Sequence, residues 1–193
     1  MRKLIVNEFL TLDGTAQAPG GPEEDTSGGF LHGGWHMPYG EGSRMAQLIG
    51  EAGGFLLGRR TYEIFAGYWP NAPKDVREIA DPLNTKPKHV ASRTLSGPLE
   101  WQGSSLLQGE LPEAVAALKE EEGGDLLVIG STVLVQSLIV HGLVDELRLL
   151  INPVLVGGGK RIFPDDGVLR TFRLVDHEVT SNGAIIATYD PSG

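Results

Sequence analysis

No cysteine occurs among the 193 residues. Disulfides, thiolate catalysis and thiolate zinc sites are therefore excluded. No apolar run approaches the roughly 18 residues that a membrane-spanning helix needs. The opening run Met1-Arg2-Lys3-Leu4-Ile5-Val6 reaches Asn7-Glu8 too soon for a secretion signal, so a cytoplasmic setting is expected. Positive charge is also scarce. Sixteen Lys and Arg face 25 Asp and Glu, a net charge of −9, which argues against general nucleic-acid binding. An acidic chain that binds an anion must gather its few cations in one place, so the position of each arginine matters more than the total. Three catalytic signatures are missing as well: the Gly-x-Ser-x-Gly elbow, His-Glu-x-x-His, and the phosphate cradle ending in Gly-Lys-[Ser/Thr]. Hydrolase, metalloprotease and P-loop readings lack support.

Glycine is abundant instead, with 27 residues, about twice its usual share of roughly 7%. Much of the excess lies in one stretch, Asp13–Gly42, and the rest punctuates strand ends. The hydrophobic content of 40% suffices for the core of one domain, here residues 1–193. Loops as long as Asp13–Gly42 are usually functional lids or linkers. Its aromatic residues Phe30, Trp35 and Tyr39 favour a lid that covers a flat ring, because linkers are poor in aromatics. His32 and His36 in the same loop have no third ligand nearby and are read as ordinary loop histidines.

The remaining pattern alternates strands and helices. Leu4–Leu12 reads as a central strand closed by Asp13-Gly14. Glu8 within it is expected to face solvent or to pair with an arginine; the alternative is that it points into a cleft. Ser43–Ala52 reads as a helix capped by Ser43, with Met45, Leu48 and Ile49 inward. Phe55–Leu57 is a buried strand, and Arg60–Trp69 a helix ended by Pro70. A weaker helix over Asp75–Leu83 and strands at Lys88–Ala91 and Trp101–Leu107 follow. Pro112–Glu122 is an amphipathic helix. Leu126–Ile129 is an apolar strand that passes through Gly130-Ser131-Thr132 into a helix, Val133–His141. Glu146–Val156 is a long strand with a bend or bulge at Asn152-Pro153. Ser181-Asn182-Gly183 joins Phe172–Thr180 and Ala184–Tyr189 in a hairpin. The order predicts an α/β fold in three αβα layers, with a mostly parallel mixed sheet and a C-terminal antiparallel hairpin.

Three strand-to-loop junctions suit one anionic ligand. At Gly58-Arg59-Arg60-Thr61 a strand passes directly into a helix, whose unpaired N–H groups and dipole attract phosphate. Gly130-Ser131-Thr132-Val133 repeats that logic with hydroxyls. Ser92-Arg93 could clamp a separate 2′-phosphate, since a guanidinium binds phosphate in a bidentate way. In an open α/β sheet these junctions share the rim where ligands bind. Gly157-Gly158-Gly159-Lys160 is a fourth, less specific candidate.

Several segments together resemble the dihydrofolate reductase-like superfamily. They are Thr11-Leu12-Asp13-Gly14, Ala18-Pro19-Gly20-Gly21, Gly33-Gly34-Trp35, Leu57–Glu63, Ser92-Arg93-Thr94-Leu95, Ile129-Gly130-Ser131, Leu143-Val144-Asp145-Glu146 and Pro153–Phe163. The branch they resemble most is related to the C-terminal reductase domain of the riboflavin-biosynthesis protein. The resemblance implies a reductase that binds NADPH and forms a homodimer. By matched motif, Arg59, Arg60 and Thr61 would contact phosphates, with Gly58 at the turn. Ser92 and Arg93 would hold the adenosine end, and Gly130, Ser131, Thr132 and Val133 the pyrophosphate. The lid after Asp13 would cover the nicotinamide. Two departures stand out. The helix after the lid carries no inward carboxylate of the folate-reducing kind, since Glu41 and Glu51 lie near its ends. A zinc deaminase domain is also absent.

The leading expectation is an NADPH-dependent reductase of a small heteroaromatic or carbonyl compound, pteridine- or pyrimidine-like. Asp13, Trp35, Tyr39 and Asn152 are the candidates on the substrate side, and no metal is expected. Asp13 could equally close a strand-end turn, and Trp35 could anchor the loop. A non-catalytic NADP(H)-binding protein is the alternative of a different class, and a structural subunit a third.

Overall fold

The computed structural model describes residues 1–40 and 42–192; Glu41, one of the two acids considered above, lies outside them. Among the described residues, eight strands and five α-helices alternate along the chain. The first strand, β1 (Leu4–Thr11), leads through the long loop to α1 (Gly42–Glu51), β2 (Gly54–Gly58) and α2 (Arg59–Tyr68). Next come α3 (Arg77–Thr85), β3 (Lys88–Ala91), β4 (Ser104–Leu106) and α4 (Leu111–Glu120). The chain then forms β5 (Leu126–Ile129), α5 (Thr132–Val140), β6 (Glu146–Asn152), β7 (Thr171–Val179) and β8 (Ile185–Ser192).

The strands form one sheet in the order β4-β3-β2-β5-β1-β6-β8-β7. Pairing is parallel from β4 to β6 and antiparallel for β6–β8 and β7–β8. The chain leaves β1 towards β2 on one side and returns through β5 to β6 on the other. That reversal places the sheet's switch point between β1 and β5, where the loops after adjacent strands part and leave a crevice.

Side-chain alternation assigns the two faces. Leu4, Val6 and Leu10 of β1 pack with Leu126, Val128, Val115, Leu118, Leu134, Val135 and Leu138 under α4 and α5. Ile5 packs with Phe55, Leu57, Leu127, Ile129, Ile49, Tyr62 and Leu83 under α1, α2 and α3. Full burial of each such side chain contributes about 1.5–3 kcal/mol, so both outer layers are held chiefly by these two clusters. Among the described residues, no helix is long and apolar enough to cross a membrane.

Three boundaries differ from the sequence reading. β6 stops at Asn152 without a bulge, because Pro153 has no N–H for a further ladder bond. The expected strand over Trp101–Leu107 shrinks to Ser104–Leu106. Trp101 is buried instead, its indole N–H donating to Asn84 Oδ1 at 2.8 Å and its ring lying 4.5 Å from the Lys88 ammonium. Ser43 lies inside α1 and does not cap it.

A contact between glycines sets the spacing of the sheet at the start of β2. A Cβ on Gly53 would lie 2.3 Å from the carbonyl oxygen of Gly124, which precedes β5. Gly53→Ala is expected to cost about 1–3 kcal/mol, since backbone and not a side chain must move. Urea denaturation of the variant measures this; an unchanged midpoint would show that the two segments separate freely.

Candidate active site

A cleft of about 1520 Å³ opens along the C-terminal rim of the parallel strands. Its walls include Gly58–Thr61, Ala91–Thr94 and Gly130–Leu134, so all three predicted junctions meet in one cavity. Pro19–Asp25 of the long loop, Met45, Leu48 and Ile49 of α1, and Asn7, Glu8 and Phe9 of β1 complete it.

Two of the junctions are bolted together. The Gly58 N–H donates to Ser131 Oγ at 2.7 Å, and that hydroxyl donates to Thr61 Oγ1 at 2.8 Å. A Cβ on Gly58 would meet Ser131 at 2.9 Å, and one on Gly130 would meet Thr61 at 3.3 Å, so both glycines permit a close approach. Gly130 and Ser131 are both left-handed, with φ of 69° and 72°. For a non-glycine such as Ser131 this costs about 1–3 kcal/mol, a strain that collects at functional sites. Neither α2 nor α5 has a side-chain N-cap. Two helix starts thus offer unpaired N–H donors side by side, the arrangement that holds phosphate.

The cations are placed less uniformly. Arg59 donates to Glu63 and to Thr94 Oγ1, both at 2.7 Å. Arg60 is 60% exposed and stands 3.8 Å from Asp25 of the lid. Arg93 is exposed at the rim and has no hydrogen bond or ion pair among the described residues. Ser92 Oγ accepts the Thr94 and Leu95 N–H groups and so shapes its own turn. Thr132 starts α5 and Val133 is exposed beside it.

The lid is anchored, not loose. Phe30, Trp35 and Ala18 form a third small core with Phe9, Val154 and Val156. Gln17 donates to the carbonyls of Asp25 and Ser27 and accepts the Lys160 N–H. Asp25 accepts from the Lys160 ammonium at 2.6 Å. Burial opposes the ionisation of Asp25, but Lys160 and the Ser27 hydroxyl outweigh it and hold its carboxyl below the usual range.

The four predicted substrate-side residues do not converge. Asp13 is occupied by Thr11 Oγ1 and by the N–H groups of Gly157 and Val156, so it clamps two loops and does not line the cleft. Trp35 is buried and donates to Gln17 O at 2.7 Å, which anchors the lid. Tyr39 ends a short 3-10 turn outside the cleft wall. Asn152 is fully buried, and its amide N–H groups donate to Leu10 O and Leu150 O, both at 3.1 Å. Its oxygen is thereby left to accept from His36 Nδ1 at 3.1 Å. With Nδ1 protonated, the neutral His36 ring keeps its Nε2 lone pair for a ligand. Burial lowers the His36 pKa despite the Asn152 bond, which favours that neutral form.

Asn7 was missed, and Glu8 takes the alternative considered for it, a place in the cleft. Asn7 is buried on the α1 face of β1, lines the cleft, and has no side-chain hydrogen bond among the described residues. Its amide offers a donor and an acceptor at the cleft floor. Glu8 corrects the expectation of a solvent-facing or arginine-paired carboxylate. It is 2% exposed, it lines the cleft, and its Oε1 has no partner. Burial pushes its pKa from 4.5 up to about 8, although the Gly130 N–H acts in the other direction. The signal available in the sequence was the position of Asn7 and Glu8, just before the end of a central strand at the switch point.

A mostly parallel sheet between two helical layers, with an antiparallel C-terminal pair and this crevice, defines a dihydrofolate reductase-like fold. The chain belongs to the RibD C-terminal domain family, whose model matches residues 2–186. It is 27% identical to the protein YyaP of Bacillus subtilis (strain 168), over all of this chain and 96% of that one. Among solved structures, it resembles a riboflavin-biosynthesis-type protein of Shewanella sp. PV-4, with a TM-score of 0.72, 20% identity and full coverage of both chains. It also resembles the dihydrofolate reductase of Enterococcus faecalis, solved in complex with NADP(H), with a TM-score of 0.58 and 18% identity over 99% and 97% of the chains.

The state of Glu8 has a measurable consequence for stability. Below pH 4.5 both folded and unfolded chains keep this proton; between 4.5 and about 8 only the unfolded chain releases it. Stability attributable to Glu8 is therefore fully present at acid pH and is lost as pH rises to about 8. Glu8→Gln is expected to melt higher than the parent at alkaline pH, by about 5 °C, with the gap closing towards acid pH. A gap that does not change with pH would mean that Glu8 is ionised in the fold.

Proposed function

We propose that the protein is an NADPH-dependent reductase of a small heteroaromatic or carbonyl compound, pteridine- or pyrimidine-like. One observation carries this reading: a single cleft joins two uncapped helix starts and a rim of arginines to an apolar end with a few unpaired polar groups. Its volume of about 1520 Å³ exceeds the roughly 300–1,000 Å³ of ordinary small-molecule sites, which leaves room for a dinucleotide and a second reactant. NADPH fits the residues present. The N–H groups of Ser131–Val133 and of Arg60–Thr61, with the Thr61 hydroxyl and Arg59, would hold the diphosphate, with Gly58 and Gly130 giving the close approach. Ser92 and Arg93 would hold the 2′-phosphate end. When bound, NADPH supplies a hydride from its nicotinamide ring.

The chain's own part is positioning and exclusion of water. Met45, Leu48 and Ile49 would cover a flat ring from α1, and Phe9 would support it from the sheet. Asn7 would pair with an amide-like ring edge through its donor and acceptor. His36 Nε2, fixed by Asn152, would accept a hydrogen bond from a ring N–H or O–H. Pro19–Glu24 would close over the reacting atoms. A homodimer in the cytoplasm is part of the same reading and rests on the family resemblance.

Binding of NADPH, followed by nicotinamide fluorescence, is tested first, and its oxidation with pterins, pyrimidines and quinones second. Binding with turnover of one acceptor class is expected. Tight binding with no turnover of any would favour a non-catalytic NADP(H)-binding protein. Arg93→Ala is expected to weaken NADPH by about 10-fold or more, as loss of a charge-assisted phosphate contact does, and to leave NADH nearly unchanged. Equal losses for both would remove Arg93 from the 2′-phosphate.

A further inference from the structure

Glu8 has no role in the reading above, yet its burial opposes its own charge. β1 and β5 are paired only as far as Asn7 and Ile129, while β1 continues beside β6 to Thr11 and Asn152. Glu8 and Gly130 are thus the first residues past the point where the two strands part. There the Glu8 carboxyl faces the Gly130 backbone N–H, and its Oε1 lies buried with no hydrogen-bond partner. An unsatisfied buried carboxyl oxygen costs stability, and a glutamine would keep the Gly130 contact without a charge to suppress.

We propose that Glu8 is a positioning residue that couples anion binding at the Gly130–Thr132 loop to uptake of a proton. This rests on the dinucleotide reading. When uncharged, Glu8 faces the Gly130 N–H as an acceptor and leaves the next N–H groups free for phosphate. When ionised, it becomes the loop's own internal anion. A phosphate on the same loop would then stand near a like charge in a water-poor place, enough to change affinity by about tenfold to a hundredfold. The proton that Glu8 takes up comes from solvent, and no bond in the ligand changes.

The surroundings leave Glu8 without a compensating cation. Its face of β1 packs with Ala16, Leu134, Val135, Leu149 and Ile162, all apolar. On β6, Glu146 and Arg148 lie opposite Ile5 and Asn7, on the other face, and pair with each other. His141 after α5 and Arg161 are exposed. On the lid and the loop before Ile162, Lys160 is paired with Asp25, and Asp25 also faces Arg60. Asp13 is bound by Thr11 and Gly157, and Glu24 by Gly20 and Gly21.

Calorimetric titration of the full chain with NADPH at about pH 8.5, in two buffers of different ionisation enthalpy, counts the protons. The parent is expected to take up roughly 0.5–1 proton per NADPH, and Glu8→Gln none. From about pH 8 to 9.5, the parent's Kd should rise up to tenfold per pH unit while that of Glu8→Gln stays flat, the two agreeing within a few-fold at about pH 6.5. A parent that takes up no proton, or a variant that takes up as many, overturns the role of Glu8 and leaves dinucleotide binding standing. NADPH that fails to bind at any pH overturns both. Should Glu8→Gln not fold, the parent's proton count alone decides.

Discussion

One hydroxyl holds the site together. Ser131 accepts from the Gly58 N–H and donates to Thr61, so the turn after β2 and the turn after β5 cannot drift apart. The two glycines that allow this contact are Gly58 and Gly130, and a side chain at either would push the pair open. Because the bond consumes the Ser131 side chain, that residue serves the ligand site through geometry and backbone. Its left-handed conformation, strained for a serine, is maintained by the same two bonds. Convergence of two helix N-termini then follows from the sheet order, since β2 and β5 are neighbours.

The fold and the strand-to-loop junctions that meet in the cleft were legible because both are written in local chemistry. A buried strand that stops at glycine and enters a helix is visible in a run of ten residues, and it occurs at both Gly58 and Gly130. The acceptor end was not legible in the same way. Strand alternation places Asn7 on one face of β1 and Glu8 on the other, but it does not say that the neighbouring strand stops at Ile129. That ending, a fact of pairing between segments about 120 residues apart, turns both positions from core into cleft. His36 was passed over because a lone loop histidine is usually unremarkable; its partner Asn152 comes from a distant strand.

The same distance in sequence explains Asp13 and Trp35. Each has the right chemistry for a ligand role, and each is claimed by residues far along the chain or buried within the lid. Asp13 receives the N–H of Gly157, and Trp35 gives its own to Gln17. The glycine-rich lid is therefore tied down on its outer side, through Asp25 to Lys160 and through Phe30 to Val154 and Val156. Its cleft-facing part, Pro19–Glu24, keeps few such ties, although Glu24 takes the N–H groups of Gly20 and Gly21. The His36 N–H on Pro19 O and the close approach of Gly33 to Gly21 and Pro22 seat this inner edge on the rest of the loop.

Net charge makes the remaining constraint sharp. A chain with 25 acids and 16 basic residues would have to build the proposed anion site against its own field. Adding arginines solves only part of the problem, because Arg59 is shared with Glu63 and Arg60 faces Asp25. The other part is to remove negative charge from the loop itself. Burial would do this at Glu8, which faces the Gly130 N–H, because it pushes the carboxyl's pKa up to about 8. A site assembled in this way depends on dryness as much as on cations. On the proposed reading, any change that let water reach Glu8 would restore a carboxylate beside the loop assigned to phosphate and weaken anion binding there without altering one residue that touches the anion.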